Sequence, residues 1–303
     1  MQNSKVSILT RKIYHKQHNQ IANDRVAMKR FINMIDCKYF GLSKNFFYGK
    51  KILDAGCGNT AKLSIRFAQL GASVVACDLG NDFILDAKKS AKRYGVLKKI
   101  KFLNASVLKL PFPNSSFDFV CCHGVLLHLK NHKEVNTAFK ELSRVTKKNG
   151  FLYTVFGVSG GLFEEKIIPS LRDFYRKNYE FKKLIDKINP EILARVFNQA
   201  KEISSKKGKK LNLTSKNFKK LFDVDFCVYL QNIIQAPVRL DINEKNIQKM
   251  YSQNSFIKIK RLKRFIYREN IRKFTAPLHY LRDNKLLKIL YGSGNLEFLA
   301  NKR

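Results

Sequence analysis

From Lys51 to Phe156 the chain alternates short apolar runs with amphipathic stretches. Residues 51–55, 72–77, 101–103, 117–122 and 151–156 are short, apolar and rich in β-branched or aromatic side chains, so they read as strands. Residues 63–70, 83–94 and 132–146 carry helical spacing between them, with Gly71 and Gly95 as C-terminal stops and Lys148-Asn149-Gly150 as a turn before strand five. Strands and helices alternating at this pace predict a parallel, doubly wound α/β sheet. Ahead of it, apolar positions within 11–36 predict one or two amphipathic helices.

After Gly157 the rhythm changes. Residues 160–222 hold helical patterns and no strand before Val224, 242–251 is amphipathic, 255–260 alternates as a strand does, and 296–300 is a last strand. The expected organisation is an N-terminal helical segment covering the cofactor site (1–48), a Rossmann-like core (49–157), a mainly helical insertion or cap (158–241), and a C-terminal helix and two strands that complete the sheet (242–303).

Composition changes this picture little. The chain has 303 residues, 45% of them hydrophobic, enough for a full core, which excludes global disorder. No apolar run is long enough to span a bilayer, and the N-terminus has no apolar signal-like core. The six cysteines show neither zinc spacing nor a small-domain disulfide framework, so a reduced, cytoplasmic protein is expected, with no metal. Net charge is +36, and residues 1–157 and 158–303 carry +18 each. An excess spread so evenly reads as compositional bias more than as a nucleic-acid footprint. Two denser stretches, 201–220 and 258–273, read as solvated faces.

The chemistry concentrates in Leu53-Asp54-Ala55-Gly56-Cys57-Gly58-Asn59-Thr60, with Asp78 at the end of the second strand. Glycines after a first strand admit a ligand close to the backbone, and an acid ending the second strand can accept from ribose hydroxyls. Asp54 would repel a pyrophosphate and attract a cationic amino group, so S-adenosylmethionine suits the turn better than a dinucleotide. This turn resembles the first motif of the class I S-adenosylmethionine-dependent methyltransferases, especially the small-molecule type 11 group. Leu110-Pro111-Phe112-Pro113-Asn114-Ser115-Ser116-Phe117-Asp118 is similar to that family's approach to strand four, and Glu141 to Gly150 to its helix and turn before strand five. The resemblance covers about residues 50–157. It implies S-adenosyl-L-methionine as cofactor, held by Asp54, Gly56, Cys57, Gly58, Asp78, Leu79, Ser106, Val107 and His123, with Cys57 contributing only its backbone. Ser106 departs from the family, which usually has an acid there.

Methyl transfer needs a positioned nucleophile and, for acceptors that lose a proton, a base. His123, ending strand four, is the best-placed candidate base or acceptor ligand; His128 resembles a family position with a structural role. Tyr14, His15 and His18 lie in the leading helix, where histidines in a polar helix are expected at the surface. Phe163, Phe174, Tyr175, Tyr179 and Phe181 are expected to pack the insertion. Arg261, Arg264 and Arg268 with Tyr267, extended by Arg272, His279 and Tyr280, suit an anionic group on the acceptor. The expected function is methylation of a small molecule or biosynthetic intermediate. RNA methylation is the alternative that the charge suggests, and a non-catalytic binding protein is the third reading.

Overall fold

The computed structural model describes residues 5–33, 35–158, 160–205, 222–262, 285–292 and 294–303. Two helices, α1 (Lys5–Asn23) and α2 (Arg25–Ile32), and a single turn, α3 (Cys37–Phe40), precede the sheet. The core then runs β1 (Lys51–Ala55), α4 (Lys62–Gln69), β2 (Ser73–Asp78), α5 (Asn81–Arg93), β3 (Ile100–Asn104), β4 (Phe117–His123), α6 (His132–Val145) and β5 (Thr146–Val158). A helical stretch follows: a π-helical turn (Phe163–Ile167), α7 (Ile168–Lys177), α8 (Tyr179–Lys187), α9 (Pro190–Ser205) and the Val224–Gln235 helix. The Glu244–Gln253 helix, β6 (Phe256–Arg261), a short Lys285–Tyr291 helix and β7 (Asn295–Lys302) close the chain.

Seven strands form one sheet in the order β3-β2-β1-β4-β5-β7-β6. Pairs from β3 across to β5 are parallel, as the apolar runs predicted. Their side chains alternate between two buried layers: Ile52 and Cys121 face one core, Leu53 and Cys122 the other. Covering both faces is what makes these strands apolar throughout. The two C-terminal strands join this sheet at one edge, as expected. β7 runs antiparallel to both β5 and β6, so the sheet is mixed.

Strand five starts earlier than the sequence suggested. Its pairing jumps from Phe117↔Thr146 to Phe119↔Phe151, so the Lys148-Asn149-Gly150 turn is an excursion inside one long strand. Asn149 takes a left-handed conformation there (φ 60°), one that Asn tolerates better than most residues. Residues 224–235 are helix, begun by the Asp223 side chain accepting from the Phe226 amide at 2.9 Å.

Above the sheet, α7, α8 and the Val224–Gln235 helix share a separate small core of Ile168, Ile185, Ile188, Cys227, Ile233 and Ile234. α1 docks on that last helix through Gln17 to Gln235 (2.8 Å) and Gln20 to Gln231 (3.3 Å). Not all the aromatics expected to pack this region do so: Phe163 stacks on Tyr291, Phe174 contacts Phe181 but is half exposed, and Tyr179 is 72% exposed. Among the described residues no helix is long and apolar enough to cross a membrane.

Candidate active site

β1 and β4 are sheet neighbours whose chain connections leave in opposite directions, and crevices form at such points outside the C-terminal strand ends. A cavity of about 420 Å³ lies there. All nine residues singled out in the sequence line it: Asp54, Gly56, Cys57, Gly58, Asp78, Leu79, Ser106, Val107 and His123.

The glycine turn sets the polarity of the wall. Gly56 and Cys57 both donate their amides to the Cys77 carbonyl (2.8 and 3.1 Å), and Gly58 donates to Asp78 Oδ2 (2.8 Å). These N–H groups are therefore turned into the protein, unlike the free amides that cradle a phosphate. Gly56 has φ +84°, and a Cβ there would lie 2.3 Å from a Val125 methyl, so only glycine fits. The thiol of Cys57 is buried, and burial raises its pKa well above the ordinary range.

Asp54 is 1% exposed. One carboxylate oxygen accepts from the Ser64 hydroxyl at 2.6 Å, and the other is buried without a hydrogen-bond partner among the described residues. Burial raises its pKa to about 6. Asp78 accepts from Gly58 and from the Leu79 amide (2.8 Å each), and burial raises its pKa as well. Ser106 is buried, its hydroxyl accepting from the Leu108 amide at 3.2 Å.

The leading helix does not present its rings to water as expected. Tyr14 and His18 both line the cavity. The Nδ1 of His18 would sit 3.3 Å from a Cβ at Gly58, and burial drops its pKa to about 3. Asn59, in the turn, donates to the His15 carbonyl (3.2 Å) and to Asn19, clamping α1 over the glycines. His15 itself pairs with Asp86 at 2.9 Å. His128 ties α1 to the far wall. A carbonyl can only accept, so Nδ1–H donates to Val238 O (3.0 Å) and Nε2 accepts from the Tyr14 hydroxyl (2.9 Å). Burial holds His128 neutral, its pKa lowered to about 4.

His123 ends β4 within the cavity wall, with its ring 6.2 Å from that of Tyr153. Beyond it, the segment after Gln235 is pinned by Leu240 N–H to Leu127 O (2.8 Å), and this brings Arg239 to the cavity. The guanidinium lies against Gly157, within 3.3 Å of where a Cβ would stand, and pairs with Glu164 at 3.2 Å. Arg261, read from sequence as an anion ligand, lies instead on the edge strand β6 and pairs with Glu244. Arg264, Tyr267, Arg268, Arg272, His279 and Tyr280 fall outside the described residues.

Residues 53–154 match a family described as a methyltransferase domain. They form a methyltransferase domain. The matching model is that of the type 11 group which the glycine turn resembled. Among curated relatives, a ubiquinone biosynthesis O-methyltransferase of Schizosaccharomyces pombe is 40% identical over 110 residues, 36% of this chain and 38% of that protein. An uncharacterized methyltransferase of the same yeast is 33% identical over 109 residues, 34% of this chain and 38% of that protein. A demethylmenaquinone methyltransferase of Geobacillus stearothermophilus is 28% identical over 154 residues, 50% of this chain and 60% of that protein. The chain thus spans between 38% and 60% of these relatives' lengths.

The methyltransferase domain suits the cofactor on physical grounds. The orphaned oxygen of Asp54 is a place for an ammonium group, and the cavity is of the size that takes small molecules. Tyr14 and His18 were placed in the covering helix but expected at its surface, and Arg239 was missed as a site residue. Arg11, Tyr14 and His18 do form one stripe at helical spacing, and all three line the cavity, so a signal was present. Arg239 sits in an unpatterned stretch and gave none.

Proposed function

We propose that the chain transfers the methyl group of S-adenosylmethionine to a small-molecule acceptor. The observation that carries this is a buried aspartate oxygen without a partner, beside a glycine turn whose amides are already committed. Such a turn favours a cation and offers a phosphate no free amide of Gly56, Cys57 or Gly58. When bound, the cofactor supplies a methyl group made electrophilic by its sulfonium. In this reading Asp54 holds the ammonium, Asp78 accepts from the ribose hydroxyls, and Leu79, Ser106 and Val107 border the adenine. His123 stands at the next strand end, where it orients the acceptor or takes its proton. α1, docked over the turn, keeps water from the reacting atoms.

Two of these curated relatives bear quinone names, so quinone precursors belong in the acceptor panel. All six cysteines are buried free thiols, which fits the cytoplasm as the place of action. Calorimetry with S-adenosylhomocysteine tests the reading. Binding that Asp54→Asn weakens is expected; NAD binding with no heat from the sulfur nucleoside would overturn it.

A further inference from the structure

We propose that the acceptor carries a carboxylate, received by Arg239 with Arg172 behind it, at the end of the cavity beyond His123. The inference rests on the methyltransferase reading and extends it to the substrate's class.

Position comes first. Asp78 and His123 end β2 and β4, Asp54 is the penultimate residue of β1 between them, and Gly157, against which Arg239 lies, is near the end of the next strand, β5. With strands about 4.8 Å apart, Arg239 stands roughly 10 Å along the edge from Asp54. That is a distance for the acceptor's far end, and too far for the group that Asp54 holds.

Charge comes second. Arg239 and Arg172 lie close enough to depress Arg172's pKa, to about 10, with burial the larger cause. One carboxylate, Glu164, serves both: it pairs with Arg239 and is felt by Arg172. Arg176 and Asp241 also act on the cluster, from exposed positions. Tyr14 and His128 face it from α1 and the loop after β4, the tyrosine as a neutral hydroxyl and the histidine as a neutral imidazole. The buried group therefore has one positive charge in excess.

Unmet hydrogen bonding comes third. Arg172 donates Nε–H to the carbonyl of Ile233, a residue of the cavity wall, at 2.6 Å. Its Nη2 is buried with no partner among the described residues. Two guanidiniums sharing one carboxylate in a half-buried place is a costly arrangement for the free protein. A planar, singly charged anion matches both the missing charge and the fork geometry of arginine.

Benzoate and its neutral isostere benzamide serve as probes, titrated by calorimetry with and without saturating S-adenosylhomocysteine, with inorganic phosphate as a third arm. Benzoate is expected to bind about tenfold or more tighter than benzamide, the cost of leaving a charged donor unmet. Arg239→Gln should abolish the difference, and Arg239→Lys should restore only part of it. Glu164→Gln should tighten benzoate several-fold by releasing Arg239; if Glu164 only braces the fold, the same change loosens it. Equal binding of the two probes, no binding of either, or preference for phosphate would overturn the proposal. Absence of S-adenosylhomocysteine binding would instead overturn the methyltransferase reading, while the cofactor-free benzoate arm still reads the arginine site.

Discussion

In the proposed function, Asp54 is the residue whose ionisation matters most. A carboxylate must be charged to hold an ammonium, yet burial has raised its pKa to about 6 in the free protein. Below that value the ligand must expel a proton before it binds, so affinity for S-adenosylhomocysteine should fall as pH drops through 6. At about pH 5 it should be about tenfold weaker than at about pH 8, with proton release visible in buffers of different ionisation enthalpy. Asp78 has a pKa shifted in the same direction, so the Asp54→Asn variant assigns the effect: most of the pH dependence should vanish along with affinity. Folding stability has the opposite sign, since a raised carboxylate pKa favours the folded state below about 4 and loses that benefit as pH rises through 6. Gly56→Ala is expected to cost about 1–3 kcal/mol, because the left-handed backbone and the Val125 methyl both resist a Cβ. Thermal unfolding measures it.

Among the elements, α1 matters most, because its hydrogen bonds join parts of the site that are far apart in sequence. Tyr14→Phe removes the donor to His128 and should lower stability by about 1 kcal/mol, with faster amide exchange in α1 and in residues 236–240. Exchange confined to α1 would show that His128 does not couple the two. The strands of the core were legible because buried parallel strands must be apolar on both faces, and the turn because Asp54, Gly56, Gly58 and Asp78 each answer a separate physical demand. The start of β5 was not, since Lys147 to Gly150 read as solvent-facing residues and the strand pairs on both sides of them. The inward side of α1 failed for a related reason. Polar spacing separates a core-facing surface from a wet one, but a ligand cavity is itself polar, so Tyr14 and His18 looked like surface residues.

On the scale of the whole molecule, the +36 charge separates methylation of a small molecule from methylation of RNA. With the excess split evenly along the chain, only weak non-specific nucleic-acid binding is expected, and turnover should not respond to added RNA. A dedicated RNA surface with six or more phosphate contacts would lose roughly a thousandfold in affinity between about 50 and 200 mM salt. Neutralising Lys206, Lys207, Lys209 and Lys210 together, which lie outside the described residues, should leave methyl transfer within about threefold if they make no substrate contact. A collapse with cofactor binding intact would point to a polyanionic substrate. The placement of α1 has a kinetic corollary. It borders the cavity at His18, beside the glycine turn, and again at Tyr14, which is tied to the wall that carries Arg239. If both proposed subsites are occupied, one helix bordering the two cannot swing away from one without unseating its hold on the other. Both products would then leave through a single slow opening, and rapid mixing should reveal a burst of one turnover followed by a slower steady state.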